Sequence, residues 1–210
     1  MTLPSTPQKI AAALERIDRL TRSDGQRAAQ ALALSPLQLR VLGSLGSRGA
    51  LRIGALAREL MVTPGTVSEA VRVLEEKGLV LRTPDPEEHR AVLVSLTRSG
   101  RTANRKAATW TAEALTPVLD DMGTEDAGRL LSSLLRMLQA LERRGLIDTG
   151  RMCSNCEHFR PWKGRGERPH RCALLQTSIG RHELQVDCPD FALASEDRLR
   201  ERWDELREAD

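Results

Sequence analysis

The stretch whose reading decides the fold is residues 51–80, LRIGALARELMVTPGTVSEAVRVLEEKGLV. Leu56, Ala57 and Leu60 recur at helical spacing, and so do Val67, Val71 and Leu74. The pattern predicts two short helices with apolar faces turned inward, after a brief extended piece at Leu51–Ile53. Val62 and Thr63 form the turn between them; Thr63 suits an N-cap, Pro64 the first helical position, and Gly78 the stop. Two short helices joined by a tight turn make a helix-turn-helix. The outward face of the second offers Pro64, Thr66, Ser68, Glu69 and Arg72. Short polar groups near a helix N-terminus, with one long cation behind them, suit base edges and phosphates.

Residues 79–97, LVLRTPDPEEHRAVLVSLT, continue the reading. Leu79–Arg82 and Ala91–Leu96 alternate as two strands around a Pro- and acid-rich tip, a hairpin placed where a wing belongs. Arg82 stands at its base and His89 and Arg90 at its tip, so a cation is available for an adjacent minor groove.

The run Arg82, Asp85, Arg90, Val92, Leu96, Thr97 and Gly100 resembles the wing signature of the MarR family of winged helix-turn-helix regulators. The resemblance extends over about residues 8–147. It implies that Asp85 holds Arg90 in place and that Arg90 enters the minor groove. It also implies a homodimer, whose two recognition helices stand about one DNA turn (~34 Å) apart and read a pseudo-palindrome in double-stranded DNA.

Working outward, Ile10, Leu14, Ile17 and Leu20 give a helix from Gln8 to about Leu34. Ser35-Pro36 restarts the chain as a second helix that ends near Gly46 and Gly49. After the wing, Thr97 opens a long helix through Trp110 and Leu115, with Pro117 as a kink, and Thr124 opens another. In that last helix residues 130, 131, 134, 135, 138 and 141 form an apolar stripe too wide for a solitary surface helix. The expected fold is mainly α with a small β-wing. It comprises an N-terminal dimerisation helix (1–34), a winged helix-turn-helix domain (35–100), dimerisation helices (101–147), a loop-rich metal-binding segment (151–192) and a C-terminal helix (195–208).

The 210 residues suffice for one large domain, or one domain and an appendage. The N-terminus has no apolar leader core, and no stretch approaches the ~18 apolar residues of a membrane span, so a cytoplasmic protein without membrane contact is expected. Net charge is +3; residues 151–210 carry 11 basic against 12 acidic groups, which places any nucleic-acid affinity in the first part. There is no Gly-rich phosphate loop, and His89, His158, His170 and His182 make no nucleophile–base arrangement, so an enzyme is not expected.

All four cysteines, Cys153, Cys156, Cys172 and Cys188, lie in the last third at C-x2-C-x15-C-x15-C spacing. Four of the five Trp and Phe residues accompany them. Unrelated buried thiols or a Cys153–Cys156 thiol switch are competing readings, but in a reducing compartment a metal site is the better one. The polar stretch RPWKGRGERPHR (160–171) lacks apolar residues for a core of its own, and a bound metal would supply the missing stability. Structural zinc prefers paired knuckles; iron–sulfur clusters accept wider spacing and apolar shielding. CSNCEHF, RCALL and DCPDF, with Phe159 and Phe191 each three residues past a cysteine, are similar to the cluster segment of the high-potential iron–sulfur proteins. That resemblance implies a [4Fe–4S] cluster held by all four thiolates, with Zn2+ as the alternative; His158 and His170 then stand beside the ligands.

The expected function is a dimeric DNA-binding regulator tuned by this centre. The rivals are a repressor answering a small-molecule effector with only a structural zinc, and an electron-transfer module.

Overall fold

The computed structural model describes residues 4–208 except 87, 89, 90, 113 and 149. The chain divides into two compact units, Met1–Leu115 and Thr116–Asp210.

The first unit contains α1 (Thr6–Ala31), α2 (Pro36–Arg48), β1 (Leu51–Arg52), α3 (Ile53–Leu60), α4 (Pro64–Glu76), β2 (Val80–Pro84), β3 (Val92–Leu96) and α5 (Arg98–Ala112). The capping residues fix the helix starts. Ser35 Oγ accepts from Gln38 N at 3.1 Å while Gln38 Oε1 accepts from Ser35 N at 2.9 Å, a reciprocal box that opens α2. The strands form an antiparallel sheet in the order β1-β3-β2, with Leu51 opposite Val94 and Val80 opposite Leu96. The core gathers Val41, Leu42, Leu56, Val67, Val71, Leu74 and Val94, each fully buried. Gly100 explains one motif position. A Cβ there would lie 1.9 Å from the Leu79 carbonyl oxygen, so only glycine lets α5 start against the base of the wing.

The second unit contains α6 (Thr116–Asp121), α7 (Gly123–Arg143), β4 (Phe159–Arg160), β5 (His170–Cys172), β6 (Thr177–Ile179) and α8 (Glu196–Glu208). Pro117 does not kink a continuing helix. α5 ends at Ala112, and Pro117 sits in the first turn of the separate α6, where a missing N–H costs no helical hydrogen bond. The cysteine segment is more than a loop: β4, β5 and β6 make a small antiparallel sheet. Its core is shared with α7, because Leu131, Leu135 and Leu138 pack with Met152, Phe159 and Leu184. Part of the apolar stripe of α7 thus packs against the segment that follows it.

Among the described residues no helix is long and apolar enough to cross a membrane.

Candidate functional site

The first candidate surface is built by α3 and α4. Met61 adopts the left-handed conformation at φ 53° and turns the chain between the two helices. Thr63 Oγ1 accepts from Thr66 N at 3.2 Å and caps α4. Val67, Ala70, Val71 and Leu74 face inward, which leaves Pro64, Thr66, Ser68, Glu69 and Arg72 exposed as expected. Arg72 is engaged from both sides. Its Nε donates to Glu69 Oε2 at 2.9 Å, its Nη2 to Glu69 Oε1 at 2.6 Å, and its Nη1 to Glu76. The hydrogen bond from Arg72 holds Glu69 below the usual carboxylate range, while Glu69 and Glu76 raise the guanidinium further. Exposed pairs of this kind are weak, so exchanging a glutamate for a phosphate costs little.

The wing is held by a pairing that the sequence did not reveal. Asp85 is 4% exposed and its Oδ2 accepts from Arg52 Nε at 2.6 Å. Arg52 Nη1 also donates to Glu88 Oε2 at 2.7 Å, tying β1 to the wing tip. Asp85 N donates to the Ala91 carbonyl at 3.0 Å and closes the hairpin. Arg82 pairs with Glu75 of α4 at 3.3 Å, linking the base of the wing to the second helix. His89 and Arg90 lie outside the described residues, and the expected Asp85–Arg90 contact lies there with them.

The second candidate site is the cysteine pocket. Cys153 opens a turn of 3-10 helix (Cys153–Asn155), Cys156 follows it, Cys172 sits on β5 opposite Phe159, and Cys188 precedes Pro189. All four are free thiols, and all four line one pocket together with Phe159, Leu174, Leu175 and Ile179. His158 and Asp190 stand at its margin. Cys153 Sγ accepts from Gln185 N at 3.2 Å. Burial pushes the Cys153 thiol up to about 11, opposed by that N–H, and the charges of Cys188, Cys156 and Cys172 add to the rise. Four thiols lining one pocket are the donor chemistry of a thiolate-ligated group. Among the described residues no group of three or more His, Cys, Asp or Glu side chains is placed to hold a metal ion.

Two helices grip the Cys153–Cys156 turn. From α7, Gln139 Nε2 donates to the Ser154 carbonyl at 3.4 Å, and Glu142 Oε2 accepts from Asn155 Nδ2 at 2.6 Å. From α8, Arg202 Nη1 donates to the carbonyls of Cys156 at 2.6 Å and Ser154 at 3.2 Å. Arg202 is 3% exposed, and its guanidinium lies 5.7 Å over the Phe159 ring. The C-terminal helix thus covers the cysteine segment. His170 lies beside the pocket, its ring centroid 5.2 Å from Phe159 and 4.8 Å from Trp162. Burial, with the nearby Arg181, lowers it to about 4, so it is neutral at physiological pH.

The pattern of the MarR family matches residues 34–92. The transcriptional activatory protein BadR of Rhodopseudomonas palustris is 32% identical over 127 residues, covering 57% of this chain and 70% of BadR. The uncharacterized HTH-type transcriptional regulator Mb0904 of Mycobacterium bovis is 38% identical over 82 residues, covering 37% of this chain and 57% of the relative. Among solved structures, the complex of MepR from S. aureus with DNA is similar with a TM-score of 0.53 at 22% identity, covering 62% of this chain and 97% of MepR. That likeness concerns the fold, and over a third of this chain lies outside it. With the helix-turn-helix, its capped second helix and the wing in place, the chain belongs to the MarR family.

Proposed function

We propose that this protein is a transcriptional regulator that binds double-stranded DNA as a homodimer on a pseudo-palindromic operator, with binding tuned by a [4Fe–4S] cluster on Cys153, Cys156, Cys172 and Cys188. The observation that carries the tuning is that these four thiols, spread over 36 residues of sequence, line one apolar pocket. The DNA-binding part is supported by the exposed polar face of α4 at Pro64, Thr66, Ser68 and Arg72, and by Arg82 at the wing base. Exposed apolar residues on α1 (Ile10, Ile17, Leu20) and on α6 and α7 (Val118, Leu119, Leu130) support a partner subunit.

A single zinc draws its four sulfurs to within roughly 4 Å of one another, since each Zn–S bond is about 2.3 Å. A cubane binds each thiolate through a different iron, tolerates wider ligand spacing and favours apolar surroundings. Bound there, the cluster would supply one-electron redox chemistry and sensitivity to iron and oxidant. The chain's own residues supply the link to α7. Gln139 and Glu142 hold the Cys153–Cys156 turn directly, so a change in the shape of that turn pulls on the helix.

Anaerobic purification followed by metal and sulfide analysis tests the reading. About four irons and four sulfides per chain are expected. About one zinc would make the segment a structural clamp and move the search for a signal to a small-molecule effector.

The wing makes a separate prediction. Arg52→Ala removes a hydrogen-bonded partner of the buried Asp85 carboxylate and loosens the hairpin that presents the wing. A stability loss of about 1–2 kcal/mol is expected, discounted because Arg52 itself is 42% exposed. DNA affinity should fall about tenfold, with urea unfolding and fluorescence anisotropy as the measurements. Unchanged affinity would remove the Arg52–Asp85 pair from the DNA-binding account.

A further inference from the structure

A second pocket in the C-terminal unit is lined by α7 and by the aromatic residues of the cysteine segment. Phe159 lines both pockets. The cavity measures about 40 Å3, by the measure in which one water needs ~10–15 Å3. It has room for more than a single water.

Its walls are apolar and cationic. Leu135, Phe159 and Trp162 supply the apolar surface, Arg136 and Arg181 the charge, with Ser132 and His170 also on the wall, and among the described residues no carboxylate lines it. Arg181 stands 5.4 Å over the Trp162 ring, which fixes its guanidinium beside the cavity. Trp162 itself is held in the left-handed region at φ 56°, a costly conformation for a bulky residue. Its Nε1 donates to the Glu205 carbonyl at 3.0 Å, which sets the ring against the tail helix.

An independent observation points to a ligand. Ser154 lines the cavity and is 4% exposed, and among the described residues its Oγ has no hydrogen-bond partner. A buried hydroxyl without a partner is costly unless something that enters the pocket bonds to it.

We propose that this pocket binds a short-chain organic carboxylate, its charge met by Arg136 and Arg181, its carboxyl group bonded by Ser154 Oγ, and its alkyl body against Leu135 and Trp162. The proposal needs no bound cluster and no DNA, although Ser154 sits in the Cys153–Cys156 turn and Phe159 lines both pockets.

Isothermal titration of the full chain with butyrate, and with butyramide as its uncharged counterpart, tests it. Saturable one-to-one binding of butyrate is expected, with butyramide at least about tenfold weaker, since the amide forgoes the charge-assisted hydrogen bonds. Arg136→Gln, Arg181→Gln and Ser154→Ala should each weaken butyrate about tenfold or more. A thermal melt confirms that each variant is folded. No saturable butyrate binding, equal affinity for the amide, or unchanged affinity in folded Arg136→Gln and Arg181→Gln would overturn the proposal and leave the cavity to water.

Discussion

Leu74→Ala is expected to lower the unfolding free energy of the N-terminal unit by about 2–5 kcal/mol. Leu74 is 0% exposed and packs among the side chains of α2, α3 and α4 that together make the helix-turn-helix. Removing its three outer carbons forfeits their transfer free energy and leaves a cavity among neighbours that are themselves fully buried. Ser68→Ala, on the exposed face of the same helix, should change stability by no more than about 0.5 kcal/mol. If Ser68 meets DNA, its variant weakens DNA binding while the fold persists. Urea unfolding monitored by circular dichroism separates the two. A loss below about 1 kcal/mol for Leu74→Ala would mean that the helix packs differently from the arrangement described here.

Cys156→Ser is expected to abolish iron binding in anaerobically purified protein, from about four irons per chain to almost none. Cys156 is the most buried of the four thiols at 7% exposure, and its carbonyl is anchored by Arg202. A serine oxygen in its place is a poor ligand for iron and cannot move outward to a better position. The C-terminal unit should also lose stability, since binding energy at such a site is folding energy. His158→Ala supplies the contrast. His158 borders the pocket but pairs with Glu157 at 3.4 Å, and its loss should leave the iron content unchanged. Full iron retention in Cys156→Ser, or its loss in His158→Ala, would contradict a site made of four thiolates.

Which parts of this were readable in the sequence follows from how local the deciding interactions are. The inward positions of α3 and α4, the caps at Ser35 and Thr63, and the exposed face of α4 all depend on contacts three or four residues apart, and each stands where the spacing put it. The engagement of Arg72 with Glu69 and Glu76 is equally local and was open to the same reading. Arg52 was not, because its bond to Asp85 joins residues 33 apart and β1 is only two residues long. The strands of the cysteine segment were hidden for a related reason: two or three residues cannot show alternation. The segment looked unable to form a core because the apolar residues it needs, Leu131, Leu135 and Leu138, stand on α7. The four cysteines line one pocket although they are spread over 36 residues of sequence, and short-range periodicity says nothing about such a meeting.

The most direct test of the central claim is the affinity of one protein preparation for a pseudo-palindromic DNA from its own upstream region, read by fluorescence anisotropy at fixed salt before and after removal of the bound metal. The account predicts a change in affinity of at least about tenfold between the two states, absent in Cys156→Ser. Equal affinity in the loaded protein, the stripped protein and the variant would contradict it, and would reduce the cysteine segment to a structural part of a regulator that takes its signal elsewhere.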